Sequence, residues 1–422
     1  MPGAVDVLLA PELLEIGRMI EAGFPSPSRT TIVASTHRLY SIHEKMATGR
    51  GISDAGQLQA AARAFSRVLV AFDALAVGRE HGTEVNAVLL GALAGCQALP
   101  IGAAAYRTAI ERKAVQVAQN LKGFEVGFEL GRRRTVADAP SPKPPQDLEA
   151  IIAQARARLV DYQDERYAAR YLERLRPFLA GDVELATTVA RHLAVWMTYE
   201  DAIRVADLKT RAGRFERIRH ESAPPGAVVE VTDYLKPDLD ELYGILPRRL
   251  VAPFARWAER RWPHGRPTLG QHVRTTTVLG FLRVWLLARC RRLRPNSYRA
   301  HLEHTRMERW LAAVTRAAAW DADLAHEIAR AAQLVKGYGD VRRRMEALFD
   351  ELVDTTLAVA ALGAPGGDGF APAAGFAARY RGLVLQGPEG EAEARRLAGA
   401  LRAPLDAGDY DAARALLTTS VV

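Results

Sequence analysis

Four prolines fall within residues 135–146 (TVADAPSPKPPQ), and neither a helix nor a central strand runs through such a segment. The segment reads as a linker, and it separates two parts of the chain with different periodicities. A length of 422 residues is enough for two or three domains.

Ahead of the linker, Val5–Ala10 is a short apolar run. A helical pattern follows over Pro11–Ala22, then a turn at Pro25–Ser28 and a β-rich run at Thr30–Ser35 (TTIVAS). Strand, helix and strand at this spacing predict a βαβ unit with buried parallel strands. Further helical patterns run over about 56–77, 83–96 and 103–118, with Leu99-Pro100 breaking the last two.

Beyond the linker the chain reads as mostly helical, over roughly 147–159, 164–179, 183–212, 248–261, 270–292, 296–318, 321–335 and 341–361. Gly226–Leu235 reads as a strand or extended connection and Gly363–Gly375 as a Gly/Ala/Pro loop. The tail 377–422 is helical apart from a β-like run at Gly382–Leu385. No internal repeat is visible. The expected fold is therefore an α/β N-terminal domain over 1–134, a linker over 135–146, a larger, mainly α-helical domain over 147–362, and a loop with a helical tail over 363–422.

Cys96 and Cys290 are the only cysteines, which excludes a disulfide framework and a four-cysteine iron–sulfur cluster and favours a cytoplasmic protein. The most apolar helical stretch, Thr275 to Ala288, is short, contains Arg283 and reads as a buried core helix, not a membrane span. The net charge of +8 is unevenly spread: residues 241–310 hold 15 Arg against 4 Glu, whereas 1–140 are nearly balanced. Such a surplus suits an acidic protein, a phosphorylated ligand or nucleic acid. Nucleic-acid binding would want interleaved aromatic residues or a known module, and neither is clear around Arg289, Arg291, Arg292 and Arg294. A solvated face with local ion pairs is the simpler reading.

Two clusters are candidate sites. Ser35, Thr36, His37 and Arg38 stand at the carboxyl end of the second strand, the edge where open α/β sheets receive ligands. Lys45 follows in the next loop. The alternative is a polar exit from a strand with no ligand. The second cluster is Lys336, Gly337, Tyr338, Gly339 and Asp340. It reads either as a joint in which Gly337 ends one helix and Asp340 caps the next, or as exposed backbone N–H groups beside Lys336 that cradle an anion. His301 and His304 sit three apart on a helix face, but nothing nearby completes a metal site. Gly367-Asp368-Gly369 looks like the start of a thiamine diphosphate motif, but no asparagine follows it.

Several segments resemble a known family. Thr31–Met46 (TIVASTHRLYSIHEKM), Asn86–Ala94 with Leu99-Pro100, and Ala118–Glu129 (AQNLKGFEVGFE) are similar to the gamma domain of 2-oxoacid:ferredoxin oxidoreductases, nearest to the indolepyruvate beta subunit. Leu159–Tyr162, the stretch TYEDAIRVADLKTRAG and Leu334–Asp340 (LVKGYGD) resemble the helical extension of the bacterial long form. The resemblance implies a partial Rossmann-like gamma domain, because the family's opening glycine-rich strand–turn–helix has no counterpart here and the N-terminal part is expected to be missing. It implies a subunit, inactive alone, of an assembly that oxidatively decarboxylates an arylpyruvate such as indolepyruvate, forms the acyl-coenzyme A and reduces ferredoxin. Thiamine diphosphate, magnesium and iron–sulfur clusters are expected in a larger alpha subunit, with no cofactor in this chain. Neither nucleic acid nor membrane is an expected partner. Ser35, Thr36, His37, Arg38, Lys45 and Asn86 are the expected substrate or partner edge, and Lys336, Tyr338 and Asp340 a second patch, with no catalytic step assigned to any. The rival reading is a non-catalytic helical scaffold or regulator whose basic surface binds an acidic partner.

Overall fold

A computed structural model of the chain describes residues 3–37, 55–137, 147–222, 228–262, 265–337, 339–363 and 369–420. The chain divides into two compact units, Met1–Pro144 and Pro145–Val422.

The first unit is α/β. Strand β1 (Val7–Ala10) leads through α1 (Leu13–Glu21) to β2 (Thr31–Ser35). Helix α2 (Ala55–Ala64) precedes β3 (Val68–Phe72), and α3 (Ala74–His81), α4 (Val85–Gly95), α5 (Ala103–Lys113) and α6 (Val117–Arg132) follow. The three strands are parallel in the order β1-β2-β3, with Leu8 beside Ile32 and Ile32 beside Leu69. Side chains alternate across the sheet. Ile32 and Ala34 join Leu13 and Ile16 of α1 and Ala62 of α2 on one face, while Val33 and Val70 join Val88, Leu89 and Ala92 of α4 on the other. Both faces are thus covered, which is why β2 is apolar almost throughout.

Strand β3 lies inside the stretch that its periodicity assigns to a single helix over 56–77. The run VLVAF interrupts that pattern and pairs with β2 along its whole length. Sandwiching between two helical layers rewards a continuous apolar strand more than its alanine-rich flanks reward helix. The start of the proline-rich segment is also drawn in: Val136 bridges Ala71, and the Ala137 N–H donates to the Ala71 carbonyl at 2.7 Å.

Helices α4 and α6 touch backbone to backbone. A Cβ on Gly127 would lie 1.9 Å from the Val88 carbonyl oxygen, and one on Gly91 would lie 2.0 Å from that of Phe124. Gly95 and Gly131 repeat the contact one turn on. Glycines four apart on both helices make this approach possible.

The second unit is mainly helical. It opens with α7 (Leu148–Tyr162), α8 (Glu165–Leu175), α9 (Val183–Met197), α10 (Ala202–Thr210) and α11 (Ala212–Ser222). A two-stranded antiparallel pair, β4 (Thr232–Leu235) with β5 (Gln271–Arg274), brackets α12 (Leu239–Gly244) and α13 (Arg248–Arg261). Then come α14 (Val278–Arg289), a 3-10 turn over Cys290–Asn296, α15 (Tyr298–Ala318), α16 (Ala322–Ala331) and α17 (Gly339–Ala360). Helices α18 (Ala371–Val384), α19 (Pro388–Asp406) and α20 (Tyr410–Ser420) complete it, so the β-like run Gly382–Leu385 is helical through Val384.

Aspartates set many of these helix starts. Asp147, Asp164, Asp182, Asp201, Asp238 and Asp321 each accept a backbone N–H two or three residues on. One large core joins α7–α9 to α15–α20, centred on Trp196, Trp310 and Phe349. The ring of Trp196 meets that of Phe349 edge-on at 5.4 Å.

Helix α14 is not the buried core helix its composition predicts. Among its residues only Val284 is fully buried, while Val278 and Leu279 are 83% and 80% exposed. The large core lies among other helices, and apolar content alone does not say which face has a neighbour. Among the described residues, no helix is long and apolar enough to cross a membrane.

Candidate functional site

Three of the residues predicted at the sheet edge come together. β2 ends at Ser35, and the Thr36 N–H continues the ladder to the Phe72 carbonyl at 2.8 Å. The buried Ser35 Oγ accepts the N–H of Ala74, the first residue of α3, at 2.9 Å. It lies 2.6 Å from His37 Nδ1. The His37 carbonyl in turn accepts the N–H of Leu13, the first residue of α1. One residue pair therefore ties the end of β2 to the starts of two helices.

The Ser35 hydroxyl has one hydrogen and two lone pairs, so its contact with Nδ1 fixes the orientation of the His37 ring whichever of the two atoms donates. The other ring nitrogen, Nε2, is not engaged by Ser35. Ser35 is too deeply buried to act as a nucleophile, and it orients the ring. Asn86 is exposed in the first turn of α4, and no hydrogen bond among the described residues joins it to Ser35, Thr36 or His37. Arg38 and Lys45 lie outside the described residues.

The second predicted patch has a different character. Lys336 is exposed, and Gly337 adopts a left-handed φ of +92°. Tyr338 lies outside the described residues. Asp340 is not the cap of the next helix: α17 begins at Gly339, and Asp340 sits in its first turn, paired with Arg343. The small pocket beside Gly337 and Gly339, about 40 Å³, is lined by Glu200, Asp201, Asp238, Asp240 and Glu241 as well as by Arg299, Arg342 and Arg343. Carboxylates already answer its arginines, as Arg343 does with Asp238 at 3.2 Å. An incoming anion would have to displace them.

The arginine-rich stretch is not a uniformly solvated face. Arg294 is buried and makes a two-pronged ion pair with Asp201, at 2.7 and 3.2 Å. It also donates to the Tyr162 carbonyl at 2.9 Å and lies over the Tyr162 ring at 4.2 Å. Arg291 donates to the carbonyls of Val160 and Gln163. These bonds stitch the 3-10 turn to the end of α7 and form one wall of a cleft of about 1160 Å³ between α8, the end of α10 and α14. Residue counting cannot find this cleft, because its walls come from positions as distant as Gln163 and Asn296.

His304 is no metal ligand in this arrangement. Its Nδ1 lies 3.0 Å from Arg174 Nη1, so it accepts, and its Nε2 faces the Tyr167 hydroxyl at 3.4 Å. Burial, with Arg174 and Arg170 adding to it, lowers its pKa to about 3. Nearby Glu303 is buried and accepts from Trp196 Nε1 at 2.7 Å and Arg342 Nη2 at 2.8 Å. Burial alone would raise its pKa, but Arg299 and Arg342 outweigh that and hold the carboxyl below its ordinary range.

Residues 148–355 match the model of a family of unknown function, DUF6537. No curated protein and no solved structure matches the chain. The DUF6537 segment starts with α7 and ends within α17, so it holds the basic cleft, the Arg294–Asp201 pair and Glu303. The parallel sheet with Ser35 and His37 lies outside the DUF6537 match.

Proposed function

We propose that this chain is a subunit of a thiamine-dependent 2-oxoacid:ferredoxin oxidoreductase acting on arylpyruvates such as indolepyruvate. In this reading, a larger partner subunit carries thiamine diphosphate, magnesium and the iron–sulfur clusters, and the assembly works in the cytoplasm. The partner's chemistry decarboxylates the 2-oxoacid, passes the acyl group to coenzyme A and sends electrons to ferredoxin.

The observation that carries the reading is the Ser35–His37 pair at the carboxyl edge of a parallel sheet. It falls inside Thr31–Met46, the segment whose sequence most resembles the gamma domain. That edge is where such sheets meet ligands or partner loops. This chain's own contribution is positional. Ser35 holds the ring of His37 in one orientation, and His37 Nε2 meets a polar group presented at the edge.

The test is to co-express the chain with a larger thiamine and iron–sulfur subunit of a 2-oxoacid:ferredoxin oxidoreductase from the same genome. Oxidation of arylpyruvates is then assayed with coenzyme A and a viologen acceptor. Co-elution, with activity that requires both chains, is expected. Activity from this chain alone, or full activity of the larger subunit without it, contradicts the reading.

A further inference from the structure

We infer that the cleft between α8, α10 and α14 is a binding site for a nucleoside polyphosphate. This site is separate from the sheet edge, and the inference does not rest on the proposed function.

The charge of the cleft carries the first part of the argument. Six arginines line it (166, 170, 211, 289, 291 and 292) against the carboxylates of Asp164, Glu173 and Asp207. Arg211 is spent on Asp207 and Asp161, and Arg291 on backbone carbonyls. Among the described residues, no carboxylate lies within ion-pair distance of Arg166, Arg170, Arg289 or Arg292. Asp164 caps α8 through the Tyr167 N–H at 2.8 Å, and Asp207 binds Arg204 at 2.9 Å. Four guanidinium groups therefore line one concavity without an ion-pair partner among the described residues, and of the lining carboxylates only Glu173 lacks both an ion pair and a helix-cap bond there. Forks of this kind match phosphate oxygens.

Shape and the aromatic lining carry the rest. A volume of about 1160 Å³ is more than inorganic phosphate needs and suits an organic ligand. Trp285 lines the cleft half-exposed, with the Arg289 guanidinium 4.5 Å from its ring centroid. The pair offers a planar surface on which a base stacks. A polynucleotide would need charges spread along a face with several stacking rings. Here the free arginines share one cleft whose single tryptophan is Trp285.

Isothermal titration of the full chain tests this with ADP, pyrophosphate and adenosine. Coenzyme A, whose 3′-phospho-ADP carries the same chemistry, forms a further arm. ADP or coenzyme A is expected to bind, the tighter of the two naming the source, with pyrophosphate weaker and adenosine undetectable. Arg170→Gln and Arg292→Gln change exposed side chains with no ion pair, so folding is retained and checked by circular dichroism. Each is expected to weaken binding about tenfold or more, and Trp285→Ala to weaken ADP more than pyrophosphate. No binding of ADP or coenzyme A at millimolar concentration overturns the inference. So does unchanged affinity in folded Arg170→Gln and Arg292→Gln, or a single-stranded oligonucleotide that outcompetes both nucleotides.

Discussion

Arg294 and Asp201 form a buried, two-pronged ion pair across a sequence separation of 93 residues. Asp201 also caps α10 through the Arg204 N–H at 2.6 Å. Removing the carboxylate leaves a buried guanidinium uncompensated and a helix start uncapped. Asp201→Ala is expected to destabilise the second unit by about 3–5 kcal/mol. Urea denaturation followed by far-UV circular dichroism measures it, and a loss below about 1 kcal/mol would show that the pair is solvated.

Gly127 and Val88 set the second prediction. Because an added Cβ would fall 1.9 Å from the Val88 carbonyl oxygen, Gly127→Ala must push α4 and α6 apart. The cost is expected to be at least about 1–3 kcal/mol, despite the better helix propensity of alanine. Gly399→Ala, inside α19 with no atom within 4 Å of the added carbon, is the control and is expected to be neutral or slightly stabilising. A thermal melt in which the two variants fall equally would refute the close contact.

The pH dependence of stability follows from His304. Its folded pKa of about 3 lies below the ordinary 6.5, so the unfolded chain binds the proton more readily. Its contribution is fully present above pH 6.5 and is lost as pH falls toward 3. His192, lowered by burial to about 4, acts in the same direction. Between pH 6.5 and 5, each histidine contributes a slope of at most about 1.4 kcal/mol per pH unit. Urea midpoints over this range are expected to fall in the parent chain and to fall less steeply in His304→Gln. An unchanged slope would place the protonation elsewhere.

How far these features could be read in the sequence depended on how local they are. The strand Thr31–Ser35 announced itself because both its faces are covered, and Ser35 to His37 stood out because polar groups follow an apolar run directly. Val68–Phe72 did not, since its flanks are helical and only pairing with β2 distinguishes it. The arginine surplus over 241–310 was visible, but the division of labour within it was not. Asp201 neutralises Arg294 from 93 residues away, whereas Arg292 is left without a carboxylate. Spacing along a chain carries no information on pairings of that range.

His37 and Ser35 supply the prediction for the assembled enzyme. His37→Ala is expected to lower activity of the co-expressed complex about tenfold or more while leaving co-elution intact. Because Gln extends an amide N–H toward the place of Nε2, His37→Gln is expected to recover part of the loss and His37→Asn none. Equal damage from all three, accompanied by a lowered melting temperature, would assign His37 a purely structural role.

The central claim meets its most direct test in arylpyruvate oxidation by the purified chain, by the larger thiamine and iron–sulfur subunit, and by the two together, with coenzyme A and a viologen acceptor. Turnover by the pair and none by this chain alone is the result expected. Turnover by this chain alone, or a larger subunit indifferent to its presence, would contradict the account.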